Sequence, residues 1–264
     1  MIQIRSVLKR VPLAREVYYR MYRARIRAQC REEDARNPPE GATPPALLRF
    51  RIGGSVSVPD FLEVGRATAE NIELALRVIG RSTAAYQRIL DFGCGCGRTL
   101  RWTLEQNPKT RFAAGDVDAE AVTWCRRHLP GPRYEVIQTA PPTPFGDESF
   151  DLIYAVSVFT RMDAPAQIAW LKEFRRLLEP GGLALVTVHG EKTWTGTPVE
   201  AQVRERGFLC EASEKLAGIL PDWYQTAYHS EEWIRREFQP YLNVRVYVEE
   251  RMGLQDVVLL QRQR

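Results

Sequence analysis

From residue 88 onward, short apolar runs alternate with stretches whose apolar residues recur every three or four positions. The runs "RIL", "RFAAG", "YEVIQ", "FDLIYAV" and "LALVTV" read as five strands. The helices between them are predicted over Thr99–Gln106, Ala119–Leu129 with Asp118 as N-cap, and from Asp163 and Pro165 to Leu178, where "PGG" stops the last. Apolar runs alternating with amphipathic helices imply a parallel sheet covered on both faces. Near the C-terminus, "NVRVYVEE" and "LQDVVLLQ" have so short a link that they must pair antiparallel.

Upstream the pattern is different. Ile2, Val7, Leu8, Val11, Tyr18, Met21, Tyr22 and Ile26 step by three and four with arginines between, which predicts an amphipathic helix interrupted near Pro12. "NPPEGATPP" excludes regular structure, and "LLRFRIGG" reads as a short extended segment. Phe61–Gly80 has helical spacing at Leu62, Ala69, Ile72, Leu76 and Ile79, and Gly80 is its stop. The expected organisation is a basic helical arm (1–36), a loop-rich segment with a capping helix (37–80) and an α/β domain (81–264). Residues 191–230 lack strong periodicity until "EASEKLAGIL", which looks helical. A long insertion there, with Trp194, Trp223 and Tyr224, is of the kind that closes over a site.

Charge sharpens this division. Residues 1–31 hold nine basic side chains against Glu16, a net +8, which leaves −4 for the rest of a chain whose total is +4. The mildly acidic body argues against a nucleic-acid face. The basic arm fits either a peripheral contact with an anionic membrane or a helix packed on the body with its arginines in water. No apolar run approaches the roughly 18 residues of a membrane span. With no export signal read and five scattered cysteines, the expected setting is a reducing cytoplasm, at the inner face of a membrane if the arm binds lipid.

The candidate chemistry sits in "ILDFGCGCGRTLRW", between the first strand and the helix after it. In an open α/β sheet, ligands bind beyond the carboxyl ends of the strands. The glycines, Gly93, Gly95 and Gly97, follow G-x-G-x-G; the dinucleotide fingerprint G-x-G-x-x-G needs glycine where Arg98 stands. Cys94 and Cys96 lack both the C-x-x-C redox spacing and further ligands for zinc, so no metal is expected and they read as small side chains in a tight loop. Asp116, 25 residues after Asp91, ends the second strand, where a carboxylate can hold both ribose hydroxyls.

With "ILDFGCGCGR", "GDVD", "PPTPFGDESFDLIYAVSVFT" and "WLKEFRRLLEPGGLALVTVHG", the chain resembles the class I S-adenosylmethionine-dependent methyltransferases from Arg88 to Gln263. The resemblance implies a doubly wound, Rossmann-like, seven-stranded sheet with a C-terminal antiparallel strand, here carrying an N-terminal helical extension. It implies S-adenosylmethionine as cofactor. Asp91 and the backbone of Gly93, Cys94 and Gly95 are expected along its methionyl part, Asp116 at the ribose, Val117 on an adenine face, and Ser157 near the reactive methyl group. Thr139 stands where the family has an acid for the adenine amine, so Gln138, Thr139, Ala140 or backbone groups are expected to take over. A narrower likeness, to members with "SVFTHL", "YHS" and "QD" motifs, suggests glycan or polysaccharide assembly; here Arg161 replaces the histidine of the first motif.

A hydroxyl acceptor must lose its proton, and histidine is the usual base near neutral pH. Of His128, His189 and His229, the second follows the fifth strand and the third lies in "AYHSEEW"; either is a candidate base, and Arg161 a candidate ligand for an anionic substrate group. The expected function is methyl transfer to a small-molecule or glycan hydroxyl. The competing functions are an RNA or protein methyltransferase, and a cofactor-binding module without catalysis in a membrane-associated assembly.

Overall fold

The computed structural model describes residues 12–212, 217–220 and 224–264, with side chains from residue 15. The chain divides into two compact units, Met1–Phe61 with Ala212–Tyr224, and Leu62–Glu211 with Gln225–Arg264. The expected boundary at residue 80 therefore falls inside the second unit.

The first unit is helical. Helix α1 (Pro12–Arg36) begins on a proline, whose missing N–H costs nothing at a helix start. Ile26 and Cys30 are its buried face and pack with Ala46 and Phe50 of α2 (Ala46–Gly53) and with Ile219. Val17 and Met21 are exposed on α1. Ile2, Val7, Leu8 and Val11 lie outside the described residues. Residues 47–54, expected to be extended, instead belong to α2 as far as Gly53. Asp34 Oδ1 accepts from the Ala46 N–H (2.8 Å), and Gly54 closes the far end in the left-handed region with φ 73°. Arg49 is buried there, its Nε donating to the Val56 carbonyl (2.8 Å) and its guanidinium pairing with Glu33 (3.6 Å).

The second unit opens with most of α3 (Val58–Arg77) and holds the sheet. Its strands are β1 (Arg88–Phe92), β2 (Arg111–Asp116), β3 (Arg133–Val136), β4 (Phe150–Ala155), β5 (Leu178–Val188), β8 (Asn243–Met252) and β9 (Gln255–Gln261). They lie in the order β3-β2-β1-β4-β5-β9-β8; the first five are parallel, and β9 runs antiparallel to both β5 and β8. This is the doubly wound sheet with a reversed terminal hairpin that the pattern predicted.

Helices α4 (Leu100–Gln106), α5 (Ala119–His128) and α6 (Ala164–Leu177) fill the crossovers. Asp118 caps α5 by accepting from the N–H groups of Glu120 and Ala121, and Asp163 caps α6 through Ala166. The strands are apolar on both faces because both are covered. Phe92 and Phe159 pack with Trp170 and Phe174 in the main core cluster. The Pro-Gly-Gly stop of α6 is absorbed into β5, which starts at Leu178.

After β5 come short helices α7 (Glu191–Trp194) and α8 (Glu200–Arg206), then a two-stranded sheet of β6 (Phe208–Ala212) and β7 (Gln225–His229), and α9 (Glu231–Phe238). The helix expected at "EASEKLAGIL" is not seen among its described residues: Glu211 and Ala212 end β6, and 217–220 form a turn with an isolated bridge. The other residues of that stretch, and Trp223, lie outside the described residues. Among the described residues, no helix is long and apolar enough to cross a membrane.

Candidate active site

β1 and β4 are neighbours, and the chain leaves them for opposite sides of the strand order, β2 and β5. Their carboxyl ends define the switch point at which such sheets bind ligands. The loop leaving β1 is fixed to β2: the N–H groups of Gly93 and Cys94 donate to the Gly115 carbonyl at 2.8 and 3.2 Å. Gly93, Gly95 and Gly97 all have left-handed φ, at 84°, 52° and 72°. At Gly93 a side chain is also sterically blocked, since a Cβ would meet Val158 Cγ2 at 2.3 Å. The residue after Ser157 thus lies directly against the glycine loop. From the outer side, α3 crosses the loop's exit: a Cβ on Gly65 would meet the Arg98 carbonyl at 2.2 Å.

Two acids flank this loop, Asp91 buried and Asp116 half-buried. Asp116 Oδ2 accepts from the Gly95 N–H (2.7 Å) and Oδ1 from the Asp118 N–H (2.8 Å). Each oxygen keeps a second lone pair for a ligand hydroxyl. Burial pushes its carboxyl up from the ordinary range, against the pull of these amide donors. Asp91 is 4% exposed and its Oδ2 has no partner. Desolvation pushes it up to about 8, opposed by a hydrogen bond from Tyr154, whose hydroxyl is also bonded to Thr103 Oγ1 (3.0 Å).

The cysteines are free and serve as small core groups. Cys94 Sγ and Cys125 Sγ both approach the Gly95 carbonyl, at 3.6 and 3.4 Å, and Cys96 is fully buried. Burial pushes the Cys96 thiol up. Among the described residues, no group of three or more His, Cys, Asp or Glu is arranged to hold a metal ion.

Beyond β4 and β5 lies a second polar group. Ser157 has φ 60°, and its N–H donates to Thr187 Oγ1 (2.7 Å). His189 sits just past β5; its Nδ1 is 3.1 Å from the Ala227 carbonyl, which makes Nδ1 the protonated nitrogen and leaves the Nε2 lone pair available. Burial, then the nearby Arg161 guanidinium, hold this imidazole down to about 4. Arg161 Nη1 reaches the Gln225 carbonyl (3.5 Å) and Thr226 Oγ1 (3.3 Å) on β7.

His229 occupies a different environment. It is fully buried, its Nε2 donates to Gln167 Oε1 (3.2 Å), and it packs on Phe208 and Trp233. Burial holds it down to about 3. The Gln167 Nε2 donates to the carbonyls of Phe159 (3.0 Å) and Met162 (2.9 Å), bracketing the turn that carries Arg161. Val117 is half-buried against the core, whereas Gln138, Thr139 and Ala140 are exposed after β3.

Residues 89–182 match the family model of a methyltransferase domain. This stretch carries β1 to β4 and the start of β5, with the glycine loop and both acids, and is similar to a methyltransferase domain over that length. An uncharacterized methyltransferase of Synechocystis is 32% identical over 114 residues, 42% of this chain and 52% of that protein. The methyltransferase GfsG of Streptomyces halstedii is 27% identical over 142 residues, 51% of this chain and 48% of its own. The chain thus spans about half the length of these curated relatives. The Burkholderia thailandensis 1,6-didemethyltoxoflavin N1-methyltransferase, solved with its substrate and S-adenosylhomocysteine, shares the fold: TM-score 0.57, 16% identity, over 83% of this chain and 88% of that one. Human N-acetylserotonin methyltransferase, solved with S-adenosylmethionine, gives 0.52 and 14% over 76% and 52%.

The methyltransferase domain has the groups its cofactor needs. The unpartnered, buried Asp91 oxygen suits a cationic ligand, the left-handed glycines keep side chains off the loop, and Asp116 retains lone pairs for ribose hydroxyls. Arg98, which the glycine spacing marks only as a departure from the dinucleotide fingerprint, has a buried Nε without a partner, a donor suited to a carboxylate. Tyr154, Thr187 and Gln255 also escape a linear reading; each becomes a candidate only through partners 51, 30 and 98 residues away.

Proposed function

We propose that this chain methylates a hydroxyl of a small-molecule or glycan acceptor, with His189 as general base. The observation that carries this is the His189 ring itself: beyond β5, oriented by the Ala227 carbonyl through Nδ1, with Nε2 left to take a proton. When bound, S-adenosylmethionine supplies an electrophilic methyl group. Asp91, Asp116 and the Gly93–Gly95 backbone would hold it, and His189 would take the proton of the acceptor's hydroxyl. An imidazole held down to about 4 is unprotonated throughout the neutral range, ready to accept a proton but a weaker base than a free imidazole. Arg161, beside it, is placed to orient an electron-rich group of the acceptor. His229, with no exposed surface, supports the site: its backbone N–H donates to the His189 carbonyl (2.9 Å), and its ring ties β7 to α6 through Gln167.

The test is an acceptor screen followed by mass spectrometry, then His189→Gln on the acceptor found. Glutamine keeps a donor for Ala227 but has no basic nitrogen. Turnover is expected to fall by about 10²–10⁴-fold with S-adenosylhomocysteine affinity unchanged. Wild-type turnover in this variant would remove His189 from the chemistry.

A further inference from the structure

Helix α1 has two apolar faces, and the first unit packs only one of them. Ile26 and Cys30 are buried with Ala46, Phe50 and Ile219, and Tyr22 packs beside them. Val17 precedes Ile26 by nine residues, and Met21 precedes Cys30 by nine. Nine residues are about two and a half helical turns, so Val17 and Met21 stand on the opposite side of the helix. They are 52% and 69% exposed. Ala24, a turn beyond Met21, is exposed as well. Exposed arginines border this outer stripe, Arg20 and Arg31 on one flank and Arg25 on the other. Among the described residues none of these three arginines forms an ion pair: the nearby Glu16 pairs with Arg23 (2.6 Å) and Glu32 with Arg36 (3.4 Å). Residues 15–31 hold six arginines against Glu16, a net +5. The packing of the first unit explains Ile26 and Cys30, but neither the outer stripe nor the cations along it.

We infer that the outer face of α1 is a docking surface for an anionic lipid bilayer. The helix lies along the surface, with Val17 and Met21 between the headgroups and Arg20, Arg25 and Arg31 on their phosphates. The charge is complementary and local: the chain outside residues 1–31 is net −4, so the same surface attracts the helix and repels the remainder. Apolar side chains in the middle of a basic stripe add nothing on a nucleic-acid backbone, which is held by cations. On a bilayer they supply the insertion that an interfacial helix needs. Tyr18, half-exposed next to Val17, has the apolar ring and polar hydroxyl that suit the headgroup level. A protein partner would need roughly 20–30 residues a side, far more than this narrow stripe offers. The inference is independent of the acceptor's identity and of His189.

Cosedimentation of the full chain with lipid vesicles tests this. Binding is expected to vesicles of phosphatidylcholine mixed with phosphatidylglycerol, to weaken as salt is added, and to be slight with phosphatidylcholine alone. An arginine near an anionic surface strengthens partition by about fivefold, so Arg20→Gln/Arg25→Gln/Arg31→Gln should weaken it by about a hundredfold. Val17→Ser/Met21→Ser keeps every charge and should weaken it by at least about tenfold. All five positions are exposed, so both variants should keep the wild-type urea midpoint, which separates lost docking from lost folding.

Equal partition of the wild type onto neutral and anionic vesicles, or onto neither, would overturn the inference. So would a serine variant that binds anionic vesicles like the wild type while the glutamine variant does not. That result would mark a contact made by charge alone, of the kind a nucleic acid makes, and competition by RNA would identify it. None of these outcomes bears on the methyl-transfer proposal, which the acceptor screen tests separately.

Discussion

Asp91 is buried with one oxygen unpartnered and is pushed up to about 8, so near neutral pH it is mostly protonated. A cationic ligand placed against it favours the carboxylate and lowers that value. Binding of S-adenosylmethionine at pH 7 is therefore expected to release up to about one proton. Calorimetry in buffers of different ionisation enthalpy reads this directly, and Asp91→Asn should abolish the release. A few residues on, Gly93→Val adds a Cβ at 2.3 Å from Val158 in a left-handed backbone. At about 1–3 kcal/mol of strain, binding should weaken by about ten- to hundredfold. Cys94→Ala should stay near wild-type affinity, because its thiol makes only weak contacts, with its own loop and with the Cys125 thiol. Retained binding in Gly93→Val, measured on the folded protein, would contradict the loop's assigned role.

At the scale of elements, the sheet places its last two strands against the site. Val188, the last residue of β5, pairs with Asp256 of β9, and just beyond it a Cβ on Gly190 would lie 1.5 Å from Asp256 Oδ2. That oxygen accepts from Tyr247 Oη on β8 (2.6 Å), while Oδ1 accepts from the Glu250 N–H (2.9 Å). Gly190→Ala must displace a buried carboxylate from these donors, and is expected to cost about 1–3 kcal/mol in urea unfolding. A midpoint equal to wild type would show that β9 yields at that point. The parallel strands and their helices were legible because burial on both faces leaves continuous apolar runs and because Asp118, Asp163 and the glycines mark the ends. α2 was not legible, since its cap comes from Asp34, 12 residues away. β6 is short and only half-buried to exposed, so it carries no apolar alternation to detect.

For the whole molecule, the histidines couple folding to pH. His189 is held down to about 4 and His229 to about 3, both chiefly by burial, whereas an unfolded chain titrates its imidazoles near 6.5. Between those limits the unfolded state binds protons that the folded state does not. Their contribution is thus fully present above pH 6.5 and is lost as the pH falls toward 4. Asp91, raised to about 8, acts in the opposite sense, so the test compares slopes rather than absolute stability. Stability measured by denaturant from pH 7 to pH 4.5 should fall less steeply in His189→Gln/His229→Gln than in wild type. Parallel slopes would place both imidazoles in solvent.

The sequence by itself determined the fold class, the position of the glycine loop, Asp91 and Asp116. Each depends on local chemistry: period-two and period-3.6 burial, left-handed turns that only glycine enters cheaply, and acids at strand ends. Only the tertiary structure separates the two histidines by exposure. His189 and His229 are equivalent candidates in a linear chain, but packing of α6, β6 and α9 encloses one while the other keeps a partly open ring oriented by Ala227. It also brought Gln255 to Ser157 across 98 residues, a contact that no periodicity encodes because the antiparallel return of β9 creates it.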